Sequence, residues 1–370
     1  MRIVLDSNHK KYFLFISCFM LGIHFFTWGI MGIDIRGTLS LLYSFSFILY
    51  YFSTQGALFK FNEKQIIMFL AMIMLLIQGQ SSAIRSVWIV LFLFCIFNCE
   101  YSDLLQILCK SSLALSIILI ITILTGSVDY KIYMTGERIR WTLGDANVNG
   151  VALFFLSLLS PFLLKINTIK CKAVCSFVML LVYIFTDSRT SAFTYCLYLI
   201  FYFMYCIFSK VKSVLIVINT FIFVLLFLSP WYIEYLYVNY PGLDAVLSCR
   251  LAFFTEYLSM QDLENYIFGG NYLMSAGPVD NTYLLILFSS GIIMYLIWAS
   301  LAVYSSILLC KNSKYNELAY ILALSVLGLF ESSLLRAVFF FTLLYWVIIF
   351  YPYKILLPQK KKFVCHSAHM

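Results

Sequence analysis

The chain has 370 residues, of which 63% are hydrophobic and only 11% charged, a balance far too apolar for a soluble globular domain. Its net charge of +8 is spread over short segments with no basic patch large enough for a nucleic-acid groove. That excludes a nucleic-acid binder and leaves membrane transporters, membrane enzymes and membrane scaffolds.

Apolar runs of the length needed to cross a hydrocarbon core of ~30 Å recur along the whole sequence. They lie near 13–32, 39–59, 65–80, 84–99, 104–126, 148–164, 173–186, 190–208, 213–232, 281–309, 317–330 and 337–352. The expected fold is an all-α polytopic integral membrane protein, one membrane domain over 1–370 with about 12 transmembrane helices. The first run is too long for a cleavable signal and has no small-residue cleavage site. Within it, His24 reads as a helix–helix hydrogen-bonding residue rather than a catalyst. The 11 Cys, such as Cys18, Cys95, Cys196 and Cys206, fall mostly inside apolar runs and show no metal-ligand spacing, so they read as small core residues.

Charge placement sets the expected orientation. With an inside N-terminus and alternating helices, 17 of the 25 Lys and Arg fall on inner segments and 8 on outer ones, which puts both termini in the cytoplasm. The inner set is 16 Lys and one Arg, whereas the outer set is one Lys and seven Arg: Arg36, Arg85, Arg138, Arg140, Arg189, Arg250 and Arg336. Topology needs only positive charge. A planar guanidinium also grips phosphate or carboxylate through two parallel hydrogen bonds, so the outer set points to an anionic ligand such as a pyrophosphate. The competing reading is that individual arginines pair with nearby acids or snorkel to headgroups.

Two outer segments are long enough to fold, a loop over 127–147 and a larger one over 233–280 that precedes the tenth helix. In the larger loop, Leu251, Phe254, Tyr257, Leu258 and Met260 form a helical stripe, with Ser248 as N-cap and Gly269–Gly270 as the stop. This helix is expected to lie along the membrane surface.

Three constellations can carry chemistry. In the first, Glu137, Arg138, Arg140, Trp141, Asp145, Asn147 and Asn149 lead into the sixth helix. The arginines suit a phosphate, Trp141 a sugar face and the asparagines sugar hydroxyls; the plain alternative is a charge-neutral interfacial loop. The second is the tight turn Asp187–Ser188–Arg189–Thr190, where a charge beside the bilayer marks either a site or a local ion pair. The third joins Ser248–Cys249–Arg250 to Phe268–Gly269–Gly270 and Asp280–Asn281. Arg250 is the only cation in a loop holding six acids, so an ion pair is an open alternative, and Asp280 at a helix start can be a simple cap. Glu331 and Arg336 bracket a last outer turn, where they can pair with each other.

In their order, Gly144 with Asn147, Ser188–Arg189, Ser248 with Arg250, Phe268–Gly269, Asp280–Asn281 and Gly291–Ile292–Ile293 resemble the bacterial O-antigen polymerase family (Wzy-type) over about 140–295. The O-antigen ligases of the same superfamily are a more distant likeness. The resemblance implies a glycosyltransferase of the bacterial inner membrane, joining undecaprenyl-pyrophosphate-linked oligosaccharide repeat units on the periplasmic face. It implies no cofactor and no metal, with a chain-length regulator and a flippase as partners. On this reading Arg250 and Arg189 hold pyrophosphate, Asp280 or Glu137 accepts the acceptor proton, and Arg138, Arg140, Trp141, Asn147 and Asn281 bind substrate. Ligases carry a functional His in the large outer loop, and this chain's His9, His24, His366 and His369 all lie elsewhere. A flippase or transporter is the rival of another class, but it commonly places polar groups at mid-membrane, where this sequence has almost no charges.

Overall fold

A computed structural model describes residues 7–55, 65, 66, 68, 72, 81–128, 130–135, 138–144, 148–247, 249–270 and 280–356. The chain folds as a helical bundle. Helices α1 (Ser7–Phe25, continued by a π turn Phe26–Ile30), α2 (Arg36–Gln55), α3 (Ser81–Cys95) and α4 (Tyr101–Leu124) precede a β-hairpin. After it come α5 (Val148–Lys165), α6 (Ile169–Thr186), α7 (Arg189–Ile207) and α8 (Lys212–Asn239). Three short helices follow, α9 (Pro241–Val246), α10 (Arg250–Ser259) and α11 (Leu263–Phe268). The chain then closes with α12 (Thr282–Lys311), α13 (Tyr315–Leu327), a 3-10 turn Ser332–Leu335, α14 (Phe340–Phe350) and α15 (Pro352–Leu356). The expected spans thus coincide with helices wherever the chain is described; most of the third, 65–80, lies outside the described residues.

Six of these helices, α4 to α8 and α12, are long and apolar enough to cross a membrane by length and composition. Their outward faces are as apolar as their inward ones. On α6 the exposed positions include Val174, Phe177, Leu180, Leu181, Ile184 and Phe185, and on α8 Val214, Val217, Phe221, Val224, Leu225 and Leu228. Water would expel such surfaces and lipid accepts them, which is the pattern of a multi-pass membrane protein. The core is built from the C-terminal third: α13 and α14 are buried almost throughout, with Leu318, Ile321, Phe339, Phe341, Leu343 and Tyr345 inaccessible.

Polar hydrogen bonds tie the helix ends together in two groups. At the lysine-bearing end, Lys212 Nζ donates to Lys311 O, Asn316 Nδ2 to Leu163 O, and Lys354 Nζ to Ile96 O and Cys99 O. At the arginine-bearing end, Arg140 donates to Thr186 O and Ser188 Oγ to Asn149 Oδ1, and midway along α5 the Phe340 amide donates to Ser157 Oγ. Among these contacts, lysine side chains serve one end of the bundle and Arg140 serves the other.

Both outer segments are more ordered than a loop. Within 127–147, strands β1 (Tyr130–Thr135) and β2 (Arg138–Leu143) pair antiparallel, from Tyr130 with Leu143 to Thr135 with Arg138. The β-branched and aromatic residues of YKIYMT and RIRWTL, separated by Gly136–Glu137, are a hairpin signal at sequence level, so the expected loop holds a small hairpin in an otherwise helical chain. In 233–280, α8 first runs on to Asn239. The expected surface helix then divides: α10 stops at Ser259, well before Gly269–Gly270, and α11 follows. Leu251, Phe254 and Tyr257 are buried as the stripe requires, whereas Met260 falls outside it with 37% exposure. The cap also comes from elsewhere. Asp244 Oδ1 accepts the amides of Leu251 (2.8 Å) and Ala252 (3.2 Å), serving two of the donors left open at a helix start. Ser248 lies outside the described residues.

The end of α11 docks on a break in α12. Gly291 interrupts the helix at φ 78°, and Gly269 has φ 77°. A Cβ on Gly291 would stand 2.5 Å from Ile267 O, and one on Gly269 2.7 Å from Ser289 O. Two backbones cross here without side chains between them, and the Gly270 amide donates to Phe288 O at 2.9 Å. Only glycine combines this left-handed conformation with so close an approach.

Candidate functional site

At the arginine-bearing end, charged side chains among the described residues meet in two places. The first begins at α12. Asn281 caps this helix by accepting the Leu284 amide at 3.0 Å, and its Nδ2 donates to Leu329 O. The Thr282 amide donates to Gly328 O at 2.7 Å and its hydroxyl to Glu331 O at 2.7 Å. The start of α12 is thereby stitched to the turn after α13, which brings Asp280 and Glu331 together. Asn281, not Asp280, is the cap, so capping does not account for Asp280.

Arg250, the first residue of α10, enters the same space. The burial of Leu251, Phe254 and Tyr257 fixes its direction, since that face of α10 packs on the bundle. Its Nη1 donates to Phe330 O, and its Nη2 lies 3.6 Å from Glu331 Oε1, an ion pair longer than a hydrogen bond. The Arg250 and Glu331 side chains retain only 19% and 8% of their exposure. The acid that pairs with Arg250 therefore comes from the last outer turn, not from its own loop. Arg336, expected to pair with Glu331, donates instead to Ser332 Oγ at 3.4 Å, and its Nε has no hydrogen-bond partner among the described residues.

Two guanidiniums and two carboxylates thus share a half-buried space. Burial, and then the neighbouring Asp280, push the Glu331 carboxyl up to about 7, against the pull of Arg250 and Arg336. Burial also raises Asp280, opposed by the same two arginines. A carboxyl raised by burial beside fixed cations, as both of these are, can take up a proton while the guanidiniums face an anion.

The second place is the turn between α6 and α7. Arg140 on β2 donates through Nε to Thr186 O (3.1 Å) and through Nη2 to Asn149 Oδ1 (2.9 Å). Asn149 Oδ1 also accepts from Ser188 Oγ at 3.3 Å. Arg140 thus pins the hairpin to the C-terminus of α6, where a cation also complements the helix dipole. Asp187 ends α6 in the left-handed conformation, which a short polar side chain tolerates. Next to it, Arg189 opens α7 exposed, with no hydrogen bond or ion pair among the described residues. Trp141 is 43% exposed, its ring edge-on to Phe185 at 6.4 Å.

Both places stand at one level. Thr194 of α7 and Leu324 of α13 line the same small cavity, and each chain has one to two turns left to run to Arg189 and Glu331. Glu137 and Asn147 lie outside the described residues; Arg138 is placed by its backbone pairing with Thr135 alone. Glu331 and Arg336 were legible in the sequence only as a local pair. Their partnership with Arg250 and Asp280 depends on contacts between distant segments. Known protein families, curated proteins and solved structures give no match to this chain.

Proposed function

We propose that this protein is a polymerase of lipid-linked oligosaccharides, acting at the periplasmic face of a bacterial inner membrane on undecaprenyl-pyrophosphate-linked repeat units. The observation that carries the reading is the convergence of Arg250, Arg336, Asp280 and Glu331 at the arginine-bearing end, where Arg189 is also exposed. The sequence resemblance to O-antigen polymerases supports it independently.

In the reaction, the bond between the donor's anomeric carbon and the pyrophosphate oxygen breaks, and its electron pair leaves on the pyrophosphate. The acceptor hydroxyl oxygen bonds to that carbon, and its proton passes to a carboxylate. Arg250 and Arg189 stabilise the charge growing on the leaving group. Asp280 is the proton acceptor, since Glu331 is engaged in holding Arg250. Arg140 acts as a positioning residue that fixes the hairpin, leaving Trp141 to stack on a sugar face. A flippase would supply the repeat units and a chain-length regulator would set the product's size.

The test is a gel profile of surface polysaccharide from a host deleted for this gene and complemented with wild type, Asp280→Asn or Glu234→Gln. The expected result is collapse of the ladder to core plus one repeat unit on deletion. Wild type and Glu234→Gln restore the ladder, and Asp280→Asn does not. Loss of all repeat units on deletion, with long chains or single units left on lipid, would replace the polymerase by a ligase or a flippase respectively.

A further inference from the structure

On α4 the exposed positions Gln106, Lys110, Leu113, Ile117, Ile120 and Leu124 follow one another in alternating steps of four and three residues, so they form a single stripe along the helix. From Gln106 to Leu124 the stripe rises about 27 Å, nearly the whole of a hydrocarbon core of ~30 Å. Toward the lysine-bearing end it borders a groove of about 550 Å³ between α1 and α4, lined by Lys11 on one side and by Asp103 and Lys110 on the other.

Lys110 is the only charged residue between Gln106 and Leu124. It stands about 13 Å along α4 from Tyr101, well inside the span. It makes no hydrogen bond or ion pair among the described residues. The acid that lines the groove with it, Asp103, is already held by Lys11 at 2.7 Å. Turning the Lys110 stem toward the near surface therefore brings one ammonium toward another. An unpaired charge inside hydrocarbon is costly and calls for a partner. A phospholipid cannot be that partner, because its phosphate lies at the membrane surface, outside the hydrocarbon core. Nor can a second copy. A two-fold pair sets Lys110 against Lys110, and the six membrane-length helices hold only two acids, Asp103 and Glu234, each close to a helix end.

We infer that this face of α4 is a docking surface for a transmembrane helix of another protein, one with an Asp or Glu near its middle to pair with Lys110. Such a helix covers the apolar stripe across both leaflets and supplies the missing countercharge at the depth of Lys110. The surface is separate from the charged cluster at the other end, and the inference does not depend on the proposed activity.

The test uses the full-length protein in phosphatidylcholine vesicles and a synthetic helix of leucine and alanine, about 21 residues long, with Glu or Gln at its centre. Resonance energy transfer from labelled protein to labelled helix reads the association at about pH 8, where a carboxylate paired with an ammonium is ionised. The Glu helix is expected to bind about tenfold more tightly than the Gln helix. Lys110→Met should abolish that preference, and Lys110→Glu should transfer it to a helix with a central Lys. Lys210→Gln, exposed at the same end but off the stripe, should leave it unchanged. Equal binding of the two helices by the wild type would overturn the inference without any variant. So would a preference that survives in Lys110→Met, or an equal loss in Lys210→Gln, which would mark a general surface-charge effect. Transfer between differently labelled copies of the protein itself, abolished by Ile117→Trp, would assign the face to a second copy and overturn the inference too.

Discussion

Replacing Arg250 with alanine tests whether its ion pair and its proposed chemistry can be separated. The Glu331 carboxyl, normally about 4.5, already stands near 7. A raised carboxyl means that the folded protein holds its proton more tightly than the unfolded chain does, so stability falls as pH climbs from about 4.5 through 7. Removing Arg250 takes away the nearest cation, and an adjacent arginine is worth roughly 1–3 pH units to a carboxylate. At pH 6 the variant escapes the loss by keeping Glu331 protonated, and only the bond to Phe330 O and the packing of the arginine stem are missing. At pH 9 the wild-type carboxylate is ionised and paired, while the variant must hold it protonated or ionise it unpaired. With a further shift of about two units, and 1.36 kcal/mol per unit, Arg250→Ala should cost about 2 kcal/mol more at pH 9 than at pH 6. Chemical unfolding in detergent at the two pH values measures the difference, and adding Glu331→Gln should abolish it. The double variant is nevertheless expected to build no ladder, since the guanidinium is still missing. A cost for Arg250→Ala that is the same at both pH values would refute the pairing.

The backbone crossing of Gly269 and Gly291 makes a second prediction. Alanine at either position pays the left-handed penalty of about 1–2 kcal/mol and adds a clash worth about as much again, lowering the melting temperature by several degrees. The double variant should cost clearly less than the two losses summed, because both methyl groups relieve the same contact by parting the same backbones. Lys354 Nζ serves the carbonyls of Ile96, Phe97 and Cys99 at the end of α3, so Lys354→Met should destabilise by roughly 2 kcal/mol in the same assay, with no effect on product length. Arg140→Ala should loosen the hairpin from α6, read as faster amide exchange over 130–143, whereas Arg189→Ala, which breaks no bond among the described residues, should leave exchange and melting unchanged while impairing polymer synthesis.

Hydrophobicity alone located the six helices long and apolar enough to cross a membrane, because a span must be apolar along its whole length and that property needs no partner. Local pattern also carried the buried face of α10, while the β-branched and aromatic residues of YKIYMT and RIRWTL hold a hairpin signal beyond the loop expected there. Tertiary structure decided the rest. Asp244 supplies the partner of two amides at the start of α10, and Asn281 rather than Asp280 caps α12, since a side chain serves a helix end only when the approach of the chain aims it there. Arg250 had six acids in its own loop to choose from, yet meets Glu331 from beyond α13. The long-range stitching of Thr282 to Gly328 and Glu331 makes that meeting possible. A one-dimensional pattern ranks partners by proximity along the chain, whereas an ion pair depends on distance and burial in space, and those belong to the packed bundle.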